Sequence, residues 1–202
     1  MTEPEITAGQ VKQLRDLTGA PMMDCKRALV EAGGDLDKAQ EILRTQGKAG
    51  AKKRAGRQAK EGVVQSYVHG EGSLGVLVEV NSETDFVSRT EDFRTLAKEL
   101  AMQIAATDPR WINHEDVPED VLESERKIYA EKARAEGKPD NVIERIVERQ
   151  VKSFFSENVL LEQDYIRDPK QKVSDLVSEV AAKVGENIVI RRFARFKLGE
   201  EV

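Results

Sequence analysis

The sequence has 202 residues, of which 39% are hydrophobic and 34% are charged, with a net charge of −5 and one cysteine, Cys25. This apolar content argues against general disorder, and the negative net charge argues against a protein that coats nucleic acid over its whole surface. A single cysteine excludes an intramolecular disulfide, and no apolar run approaches the roughly 20 residues that span a bilayer. Because the first ten residues lack the features of a secretory signal, we expect a cytoplasmic protein without membrane contact.

Three short helices are predicted in residues 1–47. Thr7 and Gln10 have the spacing of a capping box, Pro21 suits the start of the second helix, and Asp35 can cap the third. Gly47 is the predicted end of the third helix. The apolar residues recur at helical spacing: Val11, Leu14, Leu17, Cys25, Ala28, Leu29, Ala32, Leu36, Ala39, Ile42 and Leu43. This pattern indicates a small three-helix module with little core of its own.

Residues 48–61 are interpreted as a basic linker. The stretch KAGAKKRAGRQAK, Lys48 to Lys60, contains six basic residues, no acidic residue and no periodic apolar face. A patch for RNA or phosphate is the alternative interpretation, and a solvated linker is the more economical one for so short a run.

Residues 62–202 are predicted to form an α+β core. Two stretches in which side chains alternate between apolar and polar are separated by Gly70–Gly72, which indicates a β-hairpin. Its predicted buried face carries Leu74, Val76, Val78 and Val80. The next predicted helix has one apolar face: Phe93, Leu96, Ala97, Leu100, Ala101, Ile104 and Ala105. A projecting helical hairpin is expected at about 117–155, followed by a helix that ends at Gly185 and a closing strand. We therefore expect a small antiparallel sheet packed with helices.

Candidate residues for covalent or metal chemistry are few. His69 and His114 are far apart in sequence and neither has metal-ligand spacing, while Cys25 lies on the apolar face of a helix. The sequence contains no Walker loop and no dinucleotide-binding glycine pattern. We therefore predict no catalytic residue, no metal ligand and no cofactor, and we do not expect an enzyme.

The stretch NSETDFVSRT, Asn81 to Thr90, is unusual because a large aromatic residue stands between a strand and a helix. Phe86 is flanked by the carboxylates Glu83 and Asp85. It could pack inward and join the strand end to Phe93, or it could be presented to a partner with a polar rim around it. The pattern alone does not decide between these interpretations.

Two longer stretches resemble signatures of the bacterial translation elongation factor Ts family. They are LRDLTGAPMMDCKRAL from Leu14 and EVNSETDFVSR from Glu79, and GKPDNVIERIVE and GENIVIRRFARF also agree with the family. The resemblance covers nearly the whole chain. Family members often have Gln-Pro-Phe where this chain has Gln163-Asp164-Tyr165, a departure that affects a local turn and not the diagnostic motifs.

The resemblance implies a guanine-nucleotide exchange factor for elongation factor Tu, the GTPase that carries aminoacyl-tRNA to the ribosome. In that family the N-terminal helices resemble a ubiquitin-associated domain and dock on the GTPase. Here this points to Arg15, Met22 and Met23 as docking residues. Short family members act as homodimers, so we expect a homodimer through the sheet region, with no direct contact to nucleic acid.

The family also assigns a role to the Thr-Asp-Phe-Val motif, which is associated with pushing on switch-region helices and dislodging a magnesium ion from the GTPase. In this sequence the motif is Thr84, Asp85, Phe86 and Val87. The resemblance therefore favours the interpretation in which Phe86 is exposed and inserts into the partner, and we call this the wedge. We give displacement by shape more weight than coordination of the ion by Asp85.

The alternative is a non-enzymatic RNA-binding or adaptor protein that uses the N-terminal module and the basic linker. Its best support is the interleaving of basic and aromatic residues in Arg191, Arg192, Phe193, Arg195 and Phe196. The same residues also suit a closing strand with one buried face.

Overall fold

A computed structural model describes residues 6–200, without the side chains of Lys48 and Lys52. Within this range the helices are α1 (Ala8–Thr18), α2 (Met22–Glu31), α3 (Leu36–Arg54), α4 (Asp85–Ser88), α5 (Glu91–Thr107), α6 (Glu119–Ala135), α7 (Asp140–Asn158) and α8 (Val173–Val184). The strands are β1 (Glu61–His69), β2 (Leu74–Ser82), β3 (Asp164–Tyr165), β4 (Asp168–Lys172) and β5 (Val189–Lys197). Many helices accompany a small antiparallel sheet, which confirms the predicted α+β class.

The first two helix starts are set by their flanking residues. The capping box of Thr7 and Gln10 is formed, with the Thr7 side chain accepting from the Gln10 N–H. Pro21 precedes the first residue of α2, where its missing N–H costs no hydrogen bond. The three helices share one buried core: Val11, Leu14, Cys25, Ala28, Leu29 and Ala39. Leu17, predicted on the apolar side of α1, is instead 60% exposed.

Helix α3 is longer than predicted. Asp35 caps its start by accepting from the Lys38 N–H at 3.1 Å, as expected, but the helix does not end at Gly47. It continues to Arg54, so the predicted linker at 48–61 is helical over its first half. A Cβ at Gly47 would lie 3.2 Å from the Cβ of Ala182, so this glycine allows a close approach of α8 where the sequence suggested a stop.

The three-stranded sheet has the order β1-β2-β5. β1 and β2 form the predicted hairpin around Gly70–Gly72, and Val76, Val78 and Val80 are buried. At the start of β1, Gly62 has a φ of 149°, and a Cβ there would lie 2.1 Å from the Val80 carbonyl oxygen. Only glycine fits such an approach, so Gly62 allows β1 to run close to the end of β2.

The predicted apolar face of α5 is confirmed, and all seven of its residues are buried. The one-turn helix α4 was not predicted. The chain leaves β2 at Ser82, forms α4 over Asp85–Ser88 and then begins α5 at Glu91.

Helices α6 and α7 form the predicted hairpin, and they pack on each other. Gly137, with a φ of 73°, follows α6 and Pro139 precedes α7, as expected from the sequence. α7 continues to Asn158, slightly beyond the predicted end at 155. Its last turns bury Phe154 and Phe155 in a cluster with Val117, Leu122 and Val159. The sequence did not predict the short ribbon of β3 and β4, which pair antiparallel.

The chain forms two compact units, and the strands β1, β2 and β5 and the helices α5 and α8 each have residues in both units. The first unit comprises the described part of Met1–Val63 with Val80–Leu96 and Asp175–Val189. The second comprises Val64–Glu79, Ala97–Ser174 and the described part of Ile190–Val202. None of the helices in residues 6–200 is long and apolar enough to cross a membrane.

Candidate functional site

Thr84–Val87, here named the corner segment, lies between the end of β2 and the start of α5. Thr84 is extended and precedes the single turn of α4. Two serine side chains hold the adjoining main chain, with Ser82 Oγ donating to the Thr84 carbonyl at 2.9 Å and Ser88 Oγ to the Asp85 carbonyl at 2.8 Å. These two local hydrogen bonds contribute to holding the corner segment as a defined turn.

Two neighbouring apolar residues of the corner segment point in different directions. Val87 is 8% exposed, whereas the side chain of Phe86 is 80% exposed. Phe86 therefore does not join the strand end to the core, and that interpretation of the sequence is wrong. Val87 anchors the turn while Phe86 presents its ring to solvent.

Asp85 is paired within its own turn. Its Oδ2 lies 2.7 Å from Nη2 of Arg89, four residues later, where the side chains of a helix turn meet. Both side chains are exposed, so water screens the pair. The carboxylate beside Phe86 is therefore partly neutralised by its own chain.

The corner segment and the residue before it donate hydrogen bonds to the loop between α8 and β5. Glu186 Oε2 accepts from the main-chain N–H groups of Glu83 at 3.1 Å and Thr84 at 3.0 Å. Glu186 Oε1 accepts from the Thr84 hydroxyl at 2.6 Å. Sequence reasoning assigned no role to Glu186, because nothing local signals a partner 102 residues away.

The predicted docking residues lie on α1 and at the start of α2. Arg15 is exposed, and Met22 and Met23 are 50% and 62% exposed. Leu17, which was expected in the core, adds a fourth exposed side chain before the turn that joins the two helices. Leu17 was predicted on the buried face because it has helical spacing with Val11 and Leu14. Three residues define the direction of a helix face only loosely, so this exposure was not predicted.

The candidate residues for covalent chemistry are all occupied in packing or hydrogen bonding. Cys25 is buried in the three-helix core, and this burial raises the pKa of its thiol. The His114 ring stacks on Phe155 at 3.7 Å, and His69 Nδ1 lies 3.0 Å from the Tyr67 hydroxyl. Among the described residues, no group of three or more histidine, cysteine, aspartate or glutamate side chains could hold a metal ion.

The basic stretch at the end of the chain is partly neutralised by acidic side chains. Arg192 Nε lies 2.7 Å from the Glu79 carboxylate. Arg195 Nη1 lies 3.3 Å from Asp108 and 3.1 Å from Glu200. These ion pairs reduce the positive charge on which an RNA-binding surface would depend.

Comparison with known proteins identifies the family. The model of the family described as Elongation factor TS matches residues 37–200, which is most of the chain. The chain belongs to the elongation factor Ts family. The matched range of this elongation factor Ts family member includes the corner segment, and the predicted docking residues Arg15, Met22 and Met23 lie before that range.

Curated elongation factor Ts proteins agree with this chain over almost its whole length. The one from Caldanaerobacter subterraneus subsp. tengcongensis is 60% identical over 197 residues, which is 98% of each chain. The one from Thermoanaerobacter sp. strain X514 is 58% identical and covers 98% of this chain and 97% of its own. Elongation factor Ts of Coprothermobacter proteolyticus is 54% identical over 97% of this chain and all of its own.

Proposed function

We propose that the chain is the guanine-nucleotide exchange factor for elongation factor Tu in translation elongation. Membership of the elongation factor Ts family supports this function, and the presentation of Phe86 is the structural observation that carries it. The proposed place of action is the cytoplasm, where the GTPase works with the ribosome.

Such a function needs no catalytic residue, because exchange makes and breaks no covalent bond. An exchange factor binds the nucleotide-free GTPase more tightly than the nucleotide-bound GTPase. By linkage, the factor then weakens nucleotide binding as much as the nucleotide weakens factor binding. The structural requirement is a surface that fits the partner only after the partner has changed shape.

Phe86 fits that requirement. Its ring is exposed in the free chain, so the ring can be desolvated in the complex, and burying a phenylalanine side chain contributes about 1.5–3 kcal/mol. Val87 and the serine hydrogen bonds hold the turn, so little conformational freedom is lost on binding. We propose that Phe86 enters the switch region of the GTPase and displaces groups that hold its Mg²⁺.

Asp85 plays the smaller part in this proposal. Because Arg89 already pairs with its carboxylate, approach to a cation would require breaking that contact. Removal of Mg²⁺ then follows from the movement of its ligands, since the ion bridges the phosphates to the protein.

The exposed side chains of α1 and α2 are the proposed docking surface on the GTPase. Met22 and Met23 are flexible and polarisable, which suits a surface that adapts to a partner. Leu17 extends the apolar area, and Arg15 supplies a charge at its side.

A second copy of this chain is the other proposed partner. Four apolar side chains of the sheet strands are exposed within the second unit, and we name them the outer-sheet patch: Val64, Val68, Leu77 and Phe196. Exposed apolar side chains grouped in this way are typical of an interaction surface. The proposed homodimer would cover them without a disulfide, because Cys25 is buried in the three-helix core.

A nucleotide-release experiment tests the exchange function. Elongation factor Tu loaded with a fluorescent GDP analogue is mixed with the chain and excess GDP in a stopped-flow instrument. We expect release to accelerate with the concentration of the chain and then to saturate. Release at the rate seen in buffer would contradict the proposal, and an RNA titration would then test the alternative function.

A further inference from the structure

The loop between α8 and β5 makes a reciprocal contact with the residues that lead into the corner segment. Glu186 accepts the N–H groups of Glu83 and Thr84 and the Thr84 hydroxyl. In return, the Glu83 carboxylate accepts from the Asn187 N–H at 2.6 Å. Two neighbouring pairs of residues, 83–84 and 186–187, thus each supply a carboxylate to the main chain of the other.

Residues after α3 close this arrangement. Asn187 Nδ2 donates to the carbonyl of Arg57 at 2.9 Å and lies 3.4 Å from that of Ala55. Arg57 Nη1 lies 3.4 Å from the Glu83 carboxylate. The loop therefore joins the end of α3 to the entrance of the corner segment within the first unit.

The corner segment needs such outside support. α4 has four residues, and a single helical turn is unfavourable alone because few hydrogen bonds compensate for its fixed dihedral angles. Thr84, which precedes α4, makes no side-chain hydrogen bond to the N–H groups of that turn. Its hydroxyl and its N–H are instead both directed to Glu186.

We infer that Glu186 is a positioning residue that fixes the corner segment and so sets the direction in which Phe86 is presented. The inference rests on the proposed exchange function. Glu186 acts here through the main chain of Glu83 and Thr84, so it need not touch the GTPase itself.

A substitution that keeps the hydrogen bonds and removes the negative charge of Glu186 shows which of the two properties holds the corner segment. A glutamine at position 186 can accept both N–H groups with its carbonyl oxygen. Its amide can donate to the Thr84 hydroxyl, because a hydroxyl both donates and accepts. Glu186→Gln should therefore preserve the arrangement, whereas Glu186→Ala should remove all three hydrogen bonds.

The first measurement uses the full chain alone. Amide hydrogen exchange is followed by NMR in the unmutated chain, in Glu186→Ala and in Glu186→Gln. We expect the Glu83 and Thr84 amides to exchange about tenfold faster in the alanine variant and at nearly the original rate in the glutamine variant. Should the alanine variant fail to fold, Glu186→Asp replaces it, since its shorter side chain cannot reach all three donors.

The second measurement uses elongation factor Tu and separates the maximal rate of GDP release from the chain concentration that gives half of it. We expect Glu186→Ala to lower the maximal rate by about tenfold, because small displacements of a contact group have large effects on rate. The half-saturating concentration should change less than about twofold, since the docking surface is intact. Glu186→Gln should restore the maximal rate, and Glu179→Ala, at an exposed residue of α8, serves as the matched control.

Unchanged amide exchange in Glu186→Ala, or an unchanged maximal rate, would overturn the inference. A change in the half-saturating concentration alone would also overturn it, because that result indicates docking. If the unmutated chain fails to accelerate release, the proposed function is wrong, and amide exchange still shows whether Glu186 holds the corner segment.

Discussion

Phe86 and Phe93 are seven residues apart, and one is 80% exposed while the other is completely buried. The first stands on α4 and the second on the inner face of α5. The same side chain is thus exposed at one position and buried at the other. Substitutions at the two positions can therefore be compared directly for their effects on stability.

The stability of the two phenylalanine variants should differ sharply. Phe93→Ala should lower the free energy of unfolding by about 3–5 kcal/mol, as truncations of buried aromatic residues do. Phe86→Ala removes a solvated side chain and should change it by less than about 0.5 kcal/mol. Urea denaturation followed by circular dichroism measures both values. A cost for Phe86→Ala close to that of Phe93→Ala would show that the ring packs inward in solution.

The rate of GDP release should depend on Phe86 more than binding does. In Phe86→Ala the docking surface of α1 and α2 is unchanged, so affinity for nucleotide-free elongation factor Tu should fall less than the maximal release rate. We expect a loss of about tenfold to a hundredfold in that rate, corresponding to roughly 1.4–2.8 kcal/mol. Stopped-flow fluorescence and calorimetry give the two quantities. A folded Phe86→Ala chain with an unmutated release rate would refute the wedge.

Asp85→Asn should have a milder effect than Phe86→Ala. The asparagine carbonyl can still accept from Arg89, whose Nη2 lies 2.7 Å from the present carboxylate, so the turn should keep its shape. We expect the release rate to fall by less than about threefold, in line with the small contribution of an exposed ion pair. The same stopped-flow assay applies. If Asp85→Asn lost as much activity as Phe86→Ala, the charge itself would be required.

Gly62→Ala should destabilise the chain, because the added Cβ would lie 2.1 Å from the Val80 carbonyl oxygen and 2.8 Å from the Asn81 Cα. The φ of 149° adds strain for any other residue, and we expect a loss of about 1–3 kcal/mol. Gly75→Ala is the matched control, since a Cβ at Gly75 meets nothing within 4 Å. Thermal unfolding compares the two, and equal melting temperatures would show that the strand shifts without cost.

The proposed homodimer should depend on the outer-sheet patch. Leu77→Lys places a charge among the exposed apolar side chains and should convert the dimer to a monomer of 22.6 kDa. Ile128→Lys changes an exposed apolar residue on α6 and should leave the dimer intact. Light scattering at micromolar concentration gives the mass. An unmutated chain that is monomeric under these conditions would contradict the proposal.

The sequence predicts those features in which many residues repeat one pattern. The face of α5 could be predicted because seven apolar residues keep a helical spacing, and the first hairpin because two alternating strands flank a glycine-rich turn. The exposure of Phe86 does not follow from any periodic pattern, since one aromatic residue at a corner has no periodicity, and only the family resemblance favoured it. The partnership of Glu186 with Thr84 lay beyond prediction because it depends on tertiary packing.

The end of α3 shows how one glycine can mislead. Glycine often ends a helix, but α3 continues through Gly47. Here the absence of a side chain allows Ala182 to approach closely. Composition alone does not distinguish a glycine needed for a turn from a glycine needed for close packing.

The extension of α3 to Arg54 has a consequence for how a partner would be engaged. Arg44 Nη2 lies 2.9 Å from Asp175 and Arg54 Nη2 lies 3.3 Å from the Ala181 carbonyl, so α3 is held along α8. A partner that touches both Met22 and Phe86 would therefore meet two contacts of preset separation within one compact unit. After the first contact forms, Phe86 is held near its binding site on the partner, so the second contact forms at a high effective concentration. A flexible linker between the two contacts would give a lower effective concentration.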